Sequence, residues 1–315
     1  MSPTAELQKA APPTITSPPA NPRAVHGALL VVSFCFATFP VAGKWAMFGF
    51  EPRAISVWRV VVAALVLMTL AYRKHPNEMR MSGRDLLQAF WLSLLGVSVN
   101  QVLYIEGLKR ASATNAGLFM CLIPVLTYGI SVLFGREALV LRKVFGLFLA
   151  MTGVAVLFVF RRSNQAADSL LGYVLVVLNA TSYSVYLVLA KPMLKRKPAL
   201  VVIAWVFLFG AAVVPLMSLD VAWAPEASGR AWVALAWILL FPTITSYGLN
   251  TWALERTEAS IVGIYVCLQP IINMFLAALL LSERLKWPSA VAALLVLLGV
   301  YFVTRARRRP ADLLE

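Results

Sequence analysis

The sequence predicts an all-α polytopic membrane protein whose ten transmembrane helices form two inverted five-helix repeats. Of the 315 residues, 60% are apolar and only 13% are charged, whereas a soluble domain carries about 25% charged residues. The apolar residues gather in ten runs of membrane-crossing length. The second half of the chain also repeats the first at a fixed offset. Together these observations define the fold class.

Ten runs approach the length of about 20 apolar residues that a helix needs to cross a hydrocarbon core of about 30 Å. The connections between them are short, which suits a compact helical bundle. The predicted spans are 27–47, 53–72, 85–105, 112–134, 141–160, 169–190, 199–219, 231–254, 259–281 and 287–304.

The two ends of the chain differ from the spans in composition. Residues 1–26 contain six prolines and few apolar residues, which predicts a disordered cytoplasmic tail. Residues 305–315 contain a run of arginines, which predicts a basic cytoplasmic tail. This tail and the basic loops are expected to contact anionic lipid headgroups.

A duplication relates the two halves. Shifting residues 103–154 forward by 146 places them on 249–300 without gaps, and 14 of the 52 pairs are identical. Shared composition alone would give about five identities. The constant offset of 146 residues predicts one repeat at 27–160 and a second at 169–304.

The positions of lysine and arginine predict the orientation in the membrane, because these residues are enriched in cytoplasmic loops. With the N-terminus inside, the inner segments carry 18 of them and the outer loops carry eight. Both termini are therefore predicted to face the cytoplasm, in the cell inner membrane. Five spans per half is an odd number, so the second repeat is expected to be inverted.

Several classes of function are disfavoured. The basic residues lie in short loops rather than on one soluble face, so nucleic acid is not an expected partner. The three cysteines lie in apolar spans without a Cys/His cluster, so no metal or cofactor is expected. Both histidines, His26 and His75, lie at or outside span ends, and no acidic pair lies within a span. We therefore expect a protein that is not an enzyme.

Polar side chains within the spans are the candidate binding residues, because a polar group in lipid requires a partner or a water-filled cavity. They recur at helical spacing and at repeat-related positions. One interpretation is a substrate cavity, and the alternative is hydrogen bonding between helices or an interfacial belt of tyrosines. The candidates are Lys44, Asn100, Gln101, Tyr104, Asn179, Tyr183, Tyr186, Tyr247, Asn250, Tyr265, Gln269 and Asn273.

Lys44 and Arg59 are basic residues near the outer ends of spans 1 and 2. Each could attract a substrate carboxylate or phosphate, or extend to the interface as a structural side chain. We include Lys44 among the candidates and interpret Arg59 as structural.

Two repeat-related pairs have expected structural roles. Pro124 and Pro270 interrupt spans 4 and 9, where they are interpreted as hinges, with fixed kinks as the alternative. Glu137 and Glu283 end these spans. They are expected to close loops by pairing with their neighbours Arg136 and Arg284.

The motifs in this order resemble those of the drug/metabolite transporter superfamily, in its ten-span EamA-type branch. They are Trp58-Arg59-Val60-Val61, Gly107-Leu108, Ala111-Ser112-Ala113-Thr114, Pro124, Glu137, Gly146 and Gly153, repeated in part as Ala259-Ser260, Pro270, Ser282-Glu283-Arg284-Leu285 and Gly299-Val300. The resemblance covers nearly all of residues 27–304.

The resemblance implies a transporter that exports small organic metabolites, such as amino acids or related compounds, by alternating access. An exchanger of anionic metabolites, such as sugar phosphates or nucleotide sugars, is an alternative. A non-transporting receptor or scaffold is an alternative of another class. The missing mid-span acidic residues favour facilitated efflux or exchange over tight proton coupling. The expected partners are a small-molecule substrate and membrane lipids, and the expected state is a monomer or homodimer.

Overall fold

The computed structural model describes residues 22–160, 169–194, 196–254, 265, 268–283 and 287–304. Within these ranges the regular structure is helical, as predicted. The α-helices are α1 (Pro22–Ala46), α2 (Pro52–Lys74), α3 (Gly83–Ser93), α4 (Val99–Arg110), α5 (Ala113–Phe119), α6 (Leu122–Leu133), α7 (Leu141–Val159), α8 (Leu170–Leu194), α9 (Ala199–Leu216), α10 (Gly229–Ile238), α11 (Ser246–Leu254), α12 (Gln269–Leu281) and α13 (Trp287–Thr304).

Seven continuous helical stretches, three of which join two of these helices, are long and apolar enough to cross a membrane. The protein is therefore multi-pass. Helix α12 is apolar but shorter, with 13 residues, and much of predicted span 9 lies outside the described residues. The predicted N-terminal tail up to residue 21 and the C-terminal tail also lie outside them. The seven stretches occupy Pro22–Ala46, Pro52–Lys74, Gly83–Arg110, Ala113–Leu133, Leu170–Leu194, Ala199–Leu216 and Gly229–Asn250.

The first helix begins earlier than the sequence predicts. Helix α1 starts at Pro22, so residues 22–26, expected to belong to the disordered tail, are helical. Proline is well suited to the first position of a helix because its missing N–H needs no partner there.

Spans 3 and 8 contain a π-helical segment that the apolar pattern does not predict. Leu94–Ser98 separates α3 from α4, and the N–H of Val99 bonds to the carbonyl five residues earlier. Leu239–Thr245 separates α10 from α11 in the same way, with Ser246 donating to Phe241. The first segment shifted by 146 falls within the second. Each segment changes the direction in which the side chains of the following helix point.

The offset of 146 also extends beyond the predicted region. Helices α3 and α10 begin at Gly83 and Gly229, which are 146 residues apart, and each follows a serine. The hydroxyls of Ser82 and Ser228 accept hydrogen bonds from the backbone N–H three residues later, at 3.2 and 3.4 Å. Both helices are thus started by the same N-cap.

Helices α7 and α13 pack closely at small residues. A Cβ atom at Gly153 would lie 2.9 Å from the carbonyl oxygen of Ala292, and one at Gly299 would lie 2.5 Å from that of Gly146. The low-numbered end of α7 therefore meets the high-numbered end of α13, so the two helices are antiparallel. Adding 146 to Gly153 gives Gly299, and subtracting 146 from Ala292 gives Gly146, so the two contacts are equivalent in the two repeats.

The remaining packing joins the halves of the chain. Helix α2 packs along α9, and α8 packs against α4 and α6. Helix α1 packs against α10, α11 and α12 of the second half. The first span of each half thus packs against the third and fourth spans of the other half, and residues from both halves meet around α1, α2 and α4.

Glu137 has different partners from the one expected. Glu137 lies 3.1 Å from Lys143 and 3.8 Å from Lys191, and does not pair with Arg136. Arg136 instead donates to the carbonyl of Val188, because its side chain extends toward α8.

Glu283 makes a cap between two spans, while its expected partner Arg284 lies outside the described residues. Its carboxylate accepts from the backbone N–H of Ala113 at 2.9 Å and of Thr114 at 3.1 Å. The Thr114 hydroxyl donates a third bond at 2.7 Å. These N–H groups have no partner within α5 because they lie in its first turn.

Replacing Glu283 should therefore destabilise the fold more than replacing Glu137. We expect Glu283→Gln to lower the free energy of unfolding by about 1–3 kcal/mol, because a buried donor loses its acceptor. The matched variant Glu137→Gln removes partly exposed ion pairs, which contribute about 0–1 kcal/mol. Denaturation of the purified protein in detergent measures both. An equal loss for the two variants would contradict the capping role of Glu283.

Candidate functional site

Arg59 lies inside the bundle and is 5% exposed. Its Nε donates to the Thr243 hydroxyl at 3.2 Å, and its Nη1 donates to the Gln101 side-chain oxygen. Its guanidinium carbon lies 3.9 Å from the centre of the Phe39 ring. The side chain therefore does not extend to the interface, which excludes snorkelling but not another structural role for Arg59.

Helix α4 supplies the first wall of this site. Gln101 and Tyr104 are buried, and they share one face of α4 because they lie three residues apart. The rings of Tyr104 and Phe39 stack with their centres 5.2 Å apart. The π-helical segment immediately before α4 determines the direction of this face.

The π-helical segment of span 8 supplies the opposite wall. Thr243 lies within it, donating to the carbonyl of Ile238 at 2.8 Å while accepting from Arg59. Tyr247 follows in α11, close enough to Arg59 for an electrostatic interaction. Tyr247 and Gln101 are 146 residues apart, so equivalent positions of the two repeats face one arginine. We call Phe39, Arg59, Gln101, Tyr104, Thr243 and Tyr247 the Arg59 cluster.

Aromatic rings extend the cluster toward α8 and α9. The ring of Tyr247 meets that of Phe207 edge to face at 5.0 Å. The rings of Tyr183 and Tyr186 stack with their centres 5.4 Å apart. Tyr186 approaches the backbone at Gly96, where a Cβ atom would lie 2.5 Å from its ring. Two predicted tyrosines therefore form an aromatic wall beside the cluster.

Three predicted asparagines join helices instead. Asn100 donates to the carbonyl of Asn179 at 3.1 Å, and Asn179 donates to the carbonyl of Asn100 at 2.8 Å. Asn273 donates to the carbonyl of Ala113 at 2.8 Å and lies against Gly117. These contacts match the alternative of hydrogen bonding between helices.

The other predicted residues lie at different places. The Tyr265 hydroxyl forms a hydrogen bond of 2.7 Å with Nδ1 of His26, which lies at the start of α1 and away from the cluster. Lys44 is half-buried in the last turn of α1. Gln269 and Asn250 are half-buried in α12 and α11. The structure thus brings together Gln101, Tyr104 and Tyr247 around Arg59, which was interpreted as structural from the sequence.

The two predicted hinge prolines follow breaks in their spans. Pro124 lies in the first turn of α6, after Met120–Cys121 has ended α5. Pro270 is the second residue of α12. Neither proline lies mid-helix, because each starts a new helix where its missing N–H costs little.

Arg59, Phe39 and Thr243 are the cluster members that sequence reasoning missed. An arginine within an apolar run is itself a signal of function, and this signal could have identified Arg59. Phe39 and Thr243 carry no comparable signal, since an apolar span contains many such residues. Among the described residues, no group of three His, Cys, Asp or Glu side chains could hold a metal ion.

The cluster combines one cation, amide and hydroxyl groups and flat apolar rings. It can bind and orient a small organic molecule by hydrogen bonds and ring contacts. No described Asp or Glu side chain lies within 4.0 Å of Arg59. The described cluster also lacks a nucleophile paired with a base, which is the arrangement that covalent catalysis requires.

Comparisons with known proteins identify relatives over most of the chain. A WAT1-related protein of Arabidopsis thaliana is 26% identical over 310 residues, covering 88% of this chain and 80% of its own. An uncharacterized transporter of Archaeoglobus fulgidus is 25% identical over 280 residues, covering 88% and 97%. A solved crystal structure with 20% identity matches the fold with a TM-score of 0.65, covering 92% of this chain and all of that one.

The model of the EamA-like transporter family matches twice, at residues 25–159 and 170–305. These two matches correspond to the two predicted repeats, and they agree with the resemblance to the drug/metabolite transporter superfamily. The chain belongs to the EamA-like transporter family, and it is a multi-pass membrane protein of the transporter class.

Proposed function

We propose that this protein exports small organic metabolites by alternating access, and that it is a transporter rather than an enzyme. The Arg59 cluster is the observation that carries the proposal. It combines Phe39 and Gln101 of the first half with Thr243 and Tyr247 of the second. A site made by both halves changes when one half moves against the other, as alternating access requires.

We further propose ten membrane spans in two inverted repeats, with both termini on the cytoplasmic side of the cell inner membrane. The antiparallel contact of α7 with α13 supports the inversion, because Gly153 and Gly299 make equivalent contacts. A two-fold axis in the membrane plane produces this arrangement. The matched N-caps at Ser82 and Ser228 also support it.

An exchanger of anionic metabolites is the second candidate function. The burial of Arg59 without a described carboxylate partner favours it, because a buried cation attracts an anion strongly. A receptor or scaffold would not produce net movement of solute, so a flux measurement separates it from both transporters.

Anionic lipids are proposed as further partners of a monomer or homodimer. A groove of about 590 Å³ lies between α3 and α8. Arg84, Arg136 and Arg196 line it together with apolar side chains such as Trp91. Arginines above apolar walls match a phosphate headgroup above its acyl chains.

Inversion predicts that equivalent residues of the two repeats face opposite sides of the membrane. Arg84 and Arg230 are exposed, follow the same N-cap motif and lie 146 residues apart. We expect Arg84→Cys to react with a membrane-impermeant maleimide from the cytoplasmic side only. We expect Arg230→Cys to react from the opposite side only. The unmodified protein is the control, since its described cysteines, Cys35 and Cys121, are buried. Reaction of both variants from one side would contradict inversion.

Transport itself is tested by flux into proteoliposomes that contain the purified protein. The panel includes amino acids, nucleosides, sugar phosphates and aromatic compounds, each with and without a pH gradient. We expect at least one class to cross without the gradient, because no acidic residue lies mid-span. Protein-free liposomes are the control. No flux by folded protein would contradict the transporter, and flux only with the gradient would contradict facilitated efflux or exchange.

The prolines provide a test of movement within spans 4 and 9. Pro124 lies in the first turn of α6 after α5 has ended, and Pro270 lies in the first turn of α12. Alanine would restore the N–H that each proline lacks and would weaken the local preference for a helix start. We expect Pro124→Ala and Pro270→Ala to slow flux several-fold while the protein still inserts. Pro198→Ala is the matched control, because Pro198 precedes α9 outside these spans. Flux equal to that of the control for both variants would contradict a hinge role.

A further inference from the structure

Arg59 differs in its partners from three other described arginines, each of which pairs with an acidic side chain. Arg53 lies 2.6 Å from Asp220, and Arg196 lies 3.2 Å from Asp85. Arg110 pairs with Glu106. These pairs lie near helix ends. Arg59 is buried, and its described partners, Gln101, Thr243 and Phe39, are all uncharged.

The guanidinium of Arg59 is only partly used by these partners. It has five N–H donors in a planar fork. Nε bonds to Thr243, one hydrogen of Nη1 serves Gln101, and Phe39 covers one face. No described partner accepts from Nη2. The fork therefore retains donors spaced for the two oxygens of a carboxylate.

The cost of placing an arginine in a membrane indicates what the site lacks. An arginine within a membrane span is costly unless a partner or a water-filled cavity compensates its charge. Hydrogen bonds to Gln101 and Thr243 and contact with Phe39 offset part of this cost, but they leave the charge unneutralised. A bound anion neutralises it.

The Arg59 cluster favours an anion with one charge, because Arg59 is its only cationic member and the second repeat supplies no equivalent cation. Helices α2 and α9 follow the same offset, since Pro52 and Pro198 are 146 residues apart at their starts. In this register, the position equivalent to Arg59 is Trp205, which is uncharged and donates to Met79. A single guanidinium matches a monoanion better than a phosphate dianion.

The surroundings describe the rest of the ligand. The stacked rings of Phe39 and Tyr104 and the edge contact of Tyr247 with Phe207 provide flat apolar surfaces. No described carboxylate lies beside Arg59 to pair with an ammonium group. An organic acid therefore fits these groups better than a zwitterion does.

We propose that the Arg59 cluster binds the carboxylate of a small organic monoanion with a flat apolar body. The carboxylate oxygens accept from the free donors of Arg59, while the body lies among Phe39, Tyr104 and Tyr247. This inference rests on the proposed function, since it names the substrate class of the transport site.

Binding is tested with purified protein at neutral pH, by ligand-induced shifts of the unfolding temperature. The probes are phenylacetate, 3-phenylpropionate and 4-phenylbutyrate, their uncharged amides, L-phenylalanine and phenyl phosphate. We expect at least one of the three acids to bind at least tenfold more tightly than its own amide, and at least tenfold more tightly than L-phenylalanine and phenyl phosphate. Failure of all three acids to bind, or equal binding of acids and amides, overturns the inference.

The role of Arg59 is tested with Arg59→Gln and Arg59→Lys. We expect at least tenfold weaker acid binding for Arg59→Gln, and an intermediate loss for Arg59→Lys, which keeps the charge without the fork. Arg230→Gln, an exposed arginine outside the site, should bind like the unmodified protein. Full binding by Arg59→Gln overturns the inference. If this variant does not fold, Arg59→Lys and the acid–amide comparison still decide.

Flux of the same probes into proteoliposomes separates this inference from the proposed function. Binding of acids without movement of any compound supports the inference and contradicts transport. Movement of amides or phenylalanine in preference to the acids supports transport and overturns the inference. Acid flux that Arg59→Gln abolishes supports both.

Discussion

The hydrocarbon core of the membrane contains no water to hydrogen-bond a free backbone group, and this constraint governs the structure. Helices can be interrupted there only where protein groups surround the break. The described interruptions follow this rule. The π-helical segments of spans 3 and 8 lie among α1, α2, α8 and α9, and the break between α5 and α6 lies within the apolar core. Irregular backbone is thus confined to the interior, where the Arg59 cluster lies.

The irregular segments also give the site its chemistry. Thr243 can contact Arg59 because it lies on a π-helical segment, where its own hydroxyl bonds to Ile238. The equivalent segment of the first half precedes Gln101 and Tyr104. Two similar distortions therefore present different side chains, so a repeated backbone encloses an asymmetric cluster.

Much of the fold could be predicted from the sequence because hydropathy over about 20 residues determines a membrane span. The repeat could be predicted from residue identities at a constant offset alone. The π-helical segments could not be predicted, since an apolar span has the same composition whether its N–H groups bond four or five residues earlier. Gln101, Tyr104 and Tyr247 could be identified because polar residues in spans are rare. Arg59 could be noticed as a charge within a span, but its partners could not be predicted, because they come from α1, α4 and span 8, which only the folded chain brings together.

The packing of α7 against α13 has a consequence for the symmetry of the chain. Gly153 meets Ala292, and Gly299 meets the equivalent Gly146. Such a contact resembles an isologous interface, the kind that two identical subunits form about a two-fold axis. Each half carries both complementary surfaces of the contact, as the two chains of an antiparallel homodimer do. The two halves share this contact while they carry different side chains elsewhere, such as Arg59 and Trp205 at equivalent positions.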